Sequence, residues 1–427
     1  MSVDPASPLA VAGTGHPAAS SAPAQSGRNW FTLGGTLIGL ILMGVGIWRI
    51  IDDLRPVPEL GAMESLFRRG KLDEVETGLR SILGRSPEYG SARRLLAQLL
   101  ARRGDKLACA RELSKIPRWW PGKRDEAFIE GQSYLDSKHA QEAEQAYLTC
   151  VQDDPLHPAD PGRVSSAARS LLTLYMTEER LPEAQDILWQ AYAQALPEEL
   201  GAILNMQMRA LVERIEPKEV SEVLGGYLAA DATNWQARRG LARAEELLGR
   251  TTSADALLAQ CLKERPDSID AWRMRLSILV DRNQPETLAE AIRVLPGSIA
   301  QAGDGVILEA QGIDRINAGE FKPAQEFLEA ALKADPFNPD TLYRLASVEQ
   351  RLGLAEEAEA HRLESQKIRK ARQAIPEALV TFRNRERPGA AKREERIQAM
   401  EELATICETV GWDRLGREWR KLATRTP

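Results

Sequence analysis

The sequence predicts an all-α solenoid of about nine helix-turn-helix repeats, preceded by one transmembrane helix, and three observations point to it. The 427 residues are rich in Ala, Leu, Glu and Arg, with only 5% aromatics, a composition of helices rather than of β-sandwiches or barrels. Turn-forming residues recur at a spacing of 34, at Pro87, Pro121 and Pro155 and again at Ala232, Pro266 and Ala300. A run of twenty uncharged, mostly apolar residues lies near the amino terminus, from Asn29 to Trp48. With 43% hydrophobic residues, 28% charged residues and a net charge of −6, the chain can bury a sizeable core and is neither disordered overall nor collagen-like. Its four Cys (109, 150, 261 and 407) and four His (16, 139, 157 and 361) cannot be assembled into a disulfide framework or a zinc site at the spacings those need, so no metal or cofactor is expected.

Residues 1–28 hold Ala, Ser, Pro and Gly with almost no bulky apolar side chain, which predicts a disordered tail. Residues 29–51 follow as a transmembrane helix, since twenty residues at ~1.5 Å each span the ~30 Å hydrocarbon layer. Trp30 and Trp48 stand at its ends, where amphipathic rings favour the headgroup level, with Arg28 and Arg49 closing the run. A cleaved signal peptide would have a shorter apolar region and a small-residue cleavage site, whereas Trp48, Arg49, Ile50 and Ile51 follow here. Lys and Arg are denser on the carboxyl side (Arg49, Arg55, Arg68, Arg69), which leans the main domain towards the cytoplasm, although large domains also translocate irrespective of charge. Gly35, Gly39 and Gly46 share one helix face that would let two anchors approach as a homodimer.

From residue 56 to 372 the repeat periods read 56–89, 90–123, 124–157, 166–200, 201–234, 235–268, 269–302, 305–338 and 339–372, with Leu156 to Val164 as a loop insertion. Each period predicts a helix, a turn, a second helix and a turn bearing Pro or a small residue. Gly131, Tyr134, Ala143, Tyr147 and Cys150 mark one such period; Gly312, Ala324, Leu328 and Ala331 repeat the columns, as do Ala242, Ala254, Leu258 and Cys261. Two helix axes approach closely only where the crossing side chains are small. In these columns the chain resembles the tetratricopeptide repeat (TPR) family. Val75 and Leu276 depart from the pattern at positions where a small residue is usual. The resemblance implies a right-handed superhelix whose first helices line a concave groove for proteins or peptides.

On the same resemblance, the groove positions are Arg94, Gln98, Gln132, Arg169, Asn205, Arg209, Arg239, Arg243, Arg273 and Tyr343. Guanidinium forks suit carboxylates, so an acidic segment or a free carboxyl terminus is the natural partner. The alternative is that some of these arginines pair within the array, with Glu246 or Asp270 for example. The Lys/Asn set by which some family members clamp a terminal carboxylate is not present. Trp119 and Trp120, in IPRWWPGKR, form a candidate interaction hot spot, with packing of both rings between repeats as the alternative. Cys109, Cys150 and Cys261 fall in small buried columns and read as inert thiols.

Residues 373–427 are read as a basic linker and a capping helical hairpin, because Pro376, Pro388 and Gly389 interrupt helix and Lys/Arg outnumber Asp/Glu 16 to 10 from residue 362 onward. Two apolar faces mark the hairpin: Ala399, Leu403, Ile406 and Val410, then Trp412, Leu415 and Trp419. The charges there alternate in sign and the whole chain is acidic, which argues against nucleic acid as a partner. The sequence carries no HExxH, GxSxG, CxxC, GxGxxG or phosphate-binding GK[ST] loop, so it is read as a non-enzyme. Two functions fit: a membrane-tethered scaffold for protein partners, or a non-catalytic accessory subunit of a membrane enzyme or secretion complex.

Overall fold

The computed structural model describes residues 58–386 and 392–425. The chain divides into two compact units, 1–61 and 62–427, and almost everything described belongs to the second. The expected tail and the anchor with Trp30, Gly35, Gly39, Gly46 and Trp48 lie outside the described residues. Among the described residues no helix is long and apolar enough to cross a membrane.

Every regular element among the described residues is helical. The helices follow one another as α1 (Pro58–Arg68), α2 (Leu72–Arg85), α3 (Gly90–Arg102), α4 (Lys106–Ser114), α5 (Lys123–Asp136), α6 (Ala140–Val151), α7 (Pro161–Thr177) and α8 (Leu181–Gln194). A short 3-10 turn, Pro197–Glu199, leads to α9 (Leu200–Val212), α10 (Pro217–Ala230), α11 (Trp235–Leu247), α12 (Thr251–Glu264), α13 (Ile269–Asp281), α14 (Pro285–Arg293) and the single turn α15 (Gly297–Ala300). The last helices are α16 (Gly305–Asn317), α17 (Phe321–Ala334), α18 (Pro339–Leu352), α19 (Ala355–Arg385), α20 (Arg393–Thr409) and α21 (Asp413–Arg425).

Local chemistry sets the hairpin pattern. Asp105, Asp160, Asn234, Ser268, Asp304 and Asn338 precede helices and accept hydrogen bonds from backbone N–H groups of the first turn. The turn inside most hairpins contains one residue in the left-handed region: Gly70, Gly104, Gly249, Gly319, Gly353 and Gly411, with Lys138, Glu179 and Asn283 in the same role. At the crossings, a methyl group added to Gly131 would stand 2.7 Å from the Tyr147 ring, and one on Gly312 3.0 Å from Leu328. Ala143, Ala242, Ala254 and Ala324 are wholly buried in the same kind of contact. Val75 and Leu276, which broke the small-residue pattern, are themselves fully buried.

Three features differ from the expectation. First, α7 starts at Pro161, inside the stretch expected to be a loop; Asp160 caps it and Pro161 has the pre-set φ that a first helical residue needs. Second, the expected linker after Arg372 is mostly helix, because α19 runs through Pro376 to Arg385. Burial of Ile375, Ala378, Leu379 and Phe382 offsets the hydrogen bond that proline removes.

Third, the period at 201–234 does not form a hairpin of its own. An extended link with no left-handed residue, Glu213 to Glu216, joins α9 to α10, and the two helices enter different cores. Val220, Leu224 and Tyr227 of α10 pack with Ala140, Leu174 and Ala237 of α6, α7 and α11. Leu204 and Met208 of α9 pack with Leu379, Phe382, Leu403, Cys407, Leu415 and Trp419 of α19, α20 and α21. The carboxyl-terminal hairpin thus does more than cover the last repeat. One side meets α18 and α19 through Val410, Leu342 and Ile368, and the other docks on α8 and α9 some 200 residues upstream. Tyr192 of α8 donates a hydrogen bond to Glu418 at 3.1 Å, and Arg414 stacks on Trp189 at 3.9 Å.

Candidate functional site

The displacement of α9 brings α11 directly against the end of α7. A methyl on Gly240 would meet the Thr177 carbonyl oxygen at 2.8 Å and the Glu178 Cα at 2.9 Å, so only glycine allows this approach. Arg239, the preceding residue, donates to the Glu178 carbonyl at 3.0 Å, a cation placed on the carbonyl end of α7. Beside it lies a buried ionic hub. Arg180 is held by both oxygens of Glu144, at 2.8 and 2.9 Å, and also by Glu178 and Glu183 at 3.0 Å each. Its guanidinium stacks on Tyr175 at 4.4 Å, and the Tyr175 hydroxyl donates to Glu144. Glu178 is 2% exposed. Burial pushes its carboxyl up to about 7 despite the pull of Arg180, and the neighbouring Glu144 carboxylate acts in the same direction.

Arg239, Arg243 and Arg273 come together, with Arg214 from the α9–α10 link, around a cleft of about 360 Å³ that Glu179 and Asp270 also line. Most of this charge is answered from within the chain. Asp270 pairs with both Arg239 and Arg273 at 3.1 Å, Asp304 with Arg273 at 2.5 Å, and Asp281 with Arg243 at 3.1 Å. Glu246 pairs with Arg282 rather than with any of these arginines. Arg214 is exposed and makes no hydrogen bond or ion pair among the described residues.

The other positions that the resemblance implies for the groove divide by accessibility. Gln98, Gln132 and Arg169 are exposed, as is Arg94 with a loose 3.8 Å contact to Glu126, and Tyr343 is 51% exposed. Arg209 pairs with Glu213, the first residue after α9, at 2.7 Å. Asn205 and Arg239 are buried, and Arg239 reaches the cleft wall with its guanidinium already engaged by Asp270 and the Glu178 carbonyl. The resemblance implies a groove position for Asn205 on a regular hairpin; on α9, which packs into the carboxyl-terminal core, its side chain faces protein instead. Of the two adjacent tryptophans, Trp120 is buried beneath Gly90 and Arg94, whereas Trp119 is 37% exposed.

The four cysteines are buried and free, and burial raises each thiol pKa, to about 12 for Cys150 and Cys407, which disfavours the reactive thiolate. His157 contacts Asp154 at 3.1 Å in a solvent-facing pair, and half-buried His361 contacts the buried Glu349 at 2.8 Å. Sequence reasoning missed Glu144, Glu178, Arg180 and Arg214. The only linear trace of the hub is the run Glu178-Glu179-Arg180 at a helical turn, which looks like any solvated turn.

No family model matches the chain, and neither does any curated protein. Among solved structures it is similar to MamA (15% identity, TM-score 0.31, 41% of this chain and 96% of that one). It is also similar to the human IFIT1 dimer with m7Gppp-AAAA (16% identity, TM-score 0.36, 85% and 88%) and to the APC/C hetero-tetramer Cut9-Hcn1 (14%, 0.32, 86% and 72%). These are TPR-containing proteins. Likeness at such scores leaves any functional reading to the residues of this chain.

Proposed function

We propose that the chain is a protein-interaction scaffold, tethered to a membrane through residues 29–51, whose first helices present a binding surface to a protein or peptide partner. The observation that supports this reading is the set of polar and aromatic side chains left exposed on first helices, Gln98, Gln132 and Arg169 on the successive α3, α5 and α7 and Tyr343 on the distant α18, while the small and apolar columns behind them are buried. Trp119, exposed in the turn before α5, is a further hot-spot candidate. The apolar run Asn29–Trp48 supports the tether.

Two measurements test it. Removal of residues 1–51 is expected to release the protein from the membrane fraction with its helical circular dichroism intact; persistent membrane association of that fragment refutes a single tether. The combined variant Gln132→Ala, Arg169→Ala, Tyr343→Ala is expected to lose proteins that co-purify with the tagged full-length chain from detergent-solubilised native membranes. An unchanged set of co-purifying proteins places the binding surface elsewhere.

A further inference from the structure

In a regular array each first helix packs between its predecessor and its successor. Helix α9 keeps its predecessors, with Ile203 in the core of α7 and α8, but turns Leu204 and Met208 to the carboxyl-terminal core rather than to its successors, and Gly240 closes α11 onto the end of α7 without filling all the space left on that side. What remains is a cleft of about 240 Å³ walled by Met176, Leu181, Ile215, Val220, Ala244 and Leu247. Leu247, at its lip, is 53% exposed. Glu179, Leu181 and Arg214 belong to this cleft and to the arginine-bearing one of about 360 Å³, so the two run together.

We propose that this joined cleft is the specific docking site for a partner segment in which a bulky apolar side chain stands next to carboxylates. The inference rests on the scaffold reading and gives it an address. The apolar half matches a side chain such as Leu or Phe, whose burial removes Leu247 and Ile215 from water. Charge complementarity selects the rest of the partner. Four guanidinium groups line the second half against Glu179 and Asp270. Two of them, Arg239 and Arg273, are held by buried or multiple contacts, whereas Arg214 is unpaired among the described residues and Arg243 has only a solvent-facing pair with Asp281. Arg214 and Arg243 are therefore the groups an incoming carboxylate meets, and a solvated ion pair exchanges its acid at little cost. A phosphate backbone would match the arginines but leave the apolar half unfilled.

The test uses the full chain in detergent micelles and fluorescence anisotropy with three labelled peptides. One carries Asp-Glu-Leu-Phe-Glu-Asp, the second has Ser in place of Leu and Phe, and the third has Asn and Gln in place of the acids. The first is expected to bind at least tenfold more tightly than either analogue. Arg214→Ala and Leu247→Ser, both at exposed positions, are each expected to weaken it at least fivefold with the melting temperature unchanged. Equal affinity for all three peptides overturns the proposal, and so does tighter binding of a labelled ten-nucleotide uridine oligomer than of the first peptide. If the first peptide binds but responds to Gln132→Ala or Tyr343→Ala and not to Arg214→Ala or Leu247→Ser, the scaffold reading stands and this address falls. If none of the three binds at millimolar concentration and the co-purification described above also fails, both fall; if only the peptides fail, the address alone does.

Discussion

Gly240 and Gly225 lie on neighbouring helices and have opposite requirements. A methyl at Gly240 meets backbone atoms of Thr177 and Glu178, which cannot rotate away, whereas a methyl at Gly225 in α10 meets nothing within 4 Å. Gly240→Ala is expected to destabilise by about 1–3 kcal/mol as α11 is pushed off α7. Gly225→Ala is expected to stabilise by about 0.5–1 kcal/mol, since alanine restricts the unfolded chain and favours helix. Urea denaturation of both variants checks the pair, and a Gly240→Ala protein as stable as the parent would mean that α11 and α7 do not touch.

Helix α21 shows how an element can be ordinary in its residues and unusual in its partners. Its repeated Arg and Lys face solvent while Leu415, Trp419 and Ala423 form a narrow buried stripe. Trp419 is fully buried, 4.8 Å from the Phe382 ring in an edge-on contact, inside the core that also holds Leu204 and Met208 of α9. Trp419→Ala is expected to cost about 3–5 kcal/mol. The more telling measurement is hydrogen exchange: amides of residues 200–212 are expected to exchange faster in this variant although they lie more than 200 positions away. Unchanged exchange there would show that the hairpin covers only the last repeat.

In a linear repeat array each unit contacts only its neighbours and the ends fray. Here the contacts from α9 to α19 and α21 tie together units far apart in the chain, the hub of Glu144, Glu178 and Arg180 clamps two neighbouring hairpins, and Arg239 beside it reaches from α11 back to the end of α7. The hub also makes global stability depend on pH. Folded Glu178 keeps its proton up to about pH 7, while in the unfolded chain it loses the proton near the ordinary value of 4.5. Between those values the folded state binds more protons, so stability falls as pH rises through that window. Glu178→Gln removes this ionisation with little change of shape. Its melting temperature is expected to fall less than that of the parent between pH 5 and pH 7.5, and equal falls in the two proteins would assign the dependence to other groups.

Much of the local architecture was legible in the residues because it is local physics. Caps such as Asp105 and Asn234, left-handed turn glycines such as Gly104 and Gly249, and small crossing residues such as Ala143 and Ala324 act within one hairpin, so periodicity exposes them. On such hairpins Gln132 and Tyr343, which the family resemblance implies as groove positions, are exposed. The rest depended on contacts between distant segments. Nothing near residue 201 marks α9 as leaving its hairpin, because its apolar face would serve α10 as well as α21; the choice is made by Phe382, Trp419 and Cys407 arriving from the other end of the chain. Pro376 read as a helix end for the same reason, since the burial that sustains α19 through it comes from that distant core. The arginines were recognisable as a pattern, but their burial and pairing with Asp270, Asp281 and Asp304 follow from how α11, α13 and α16 are stacked, and only tertiary packing decides that.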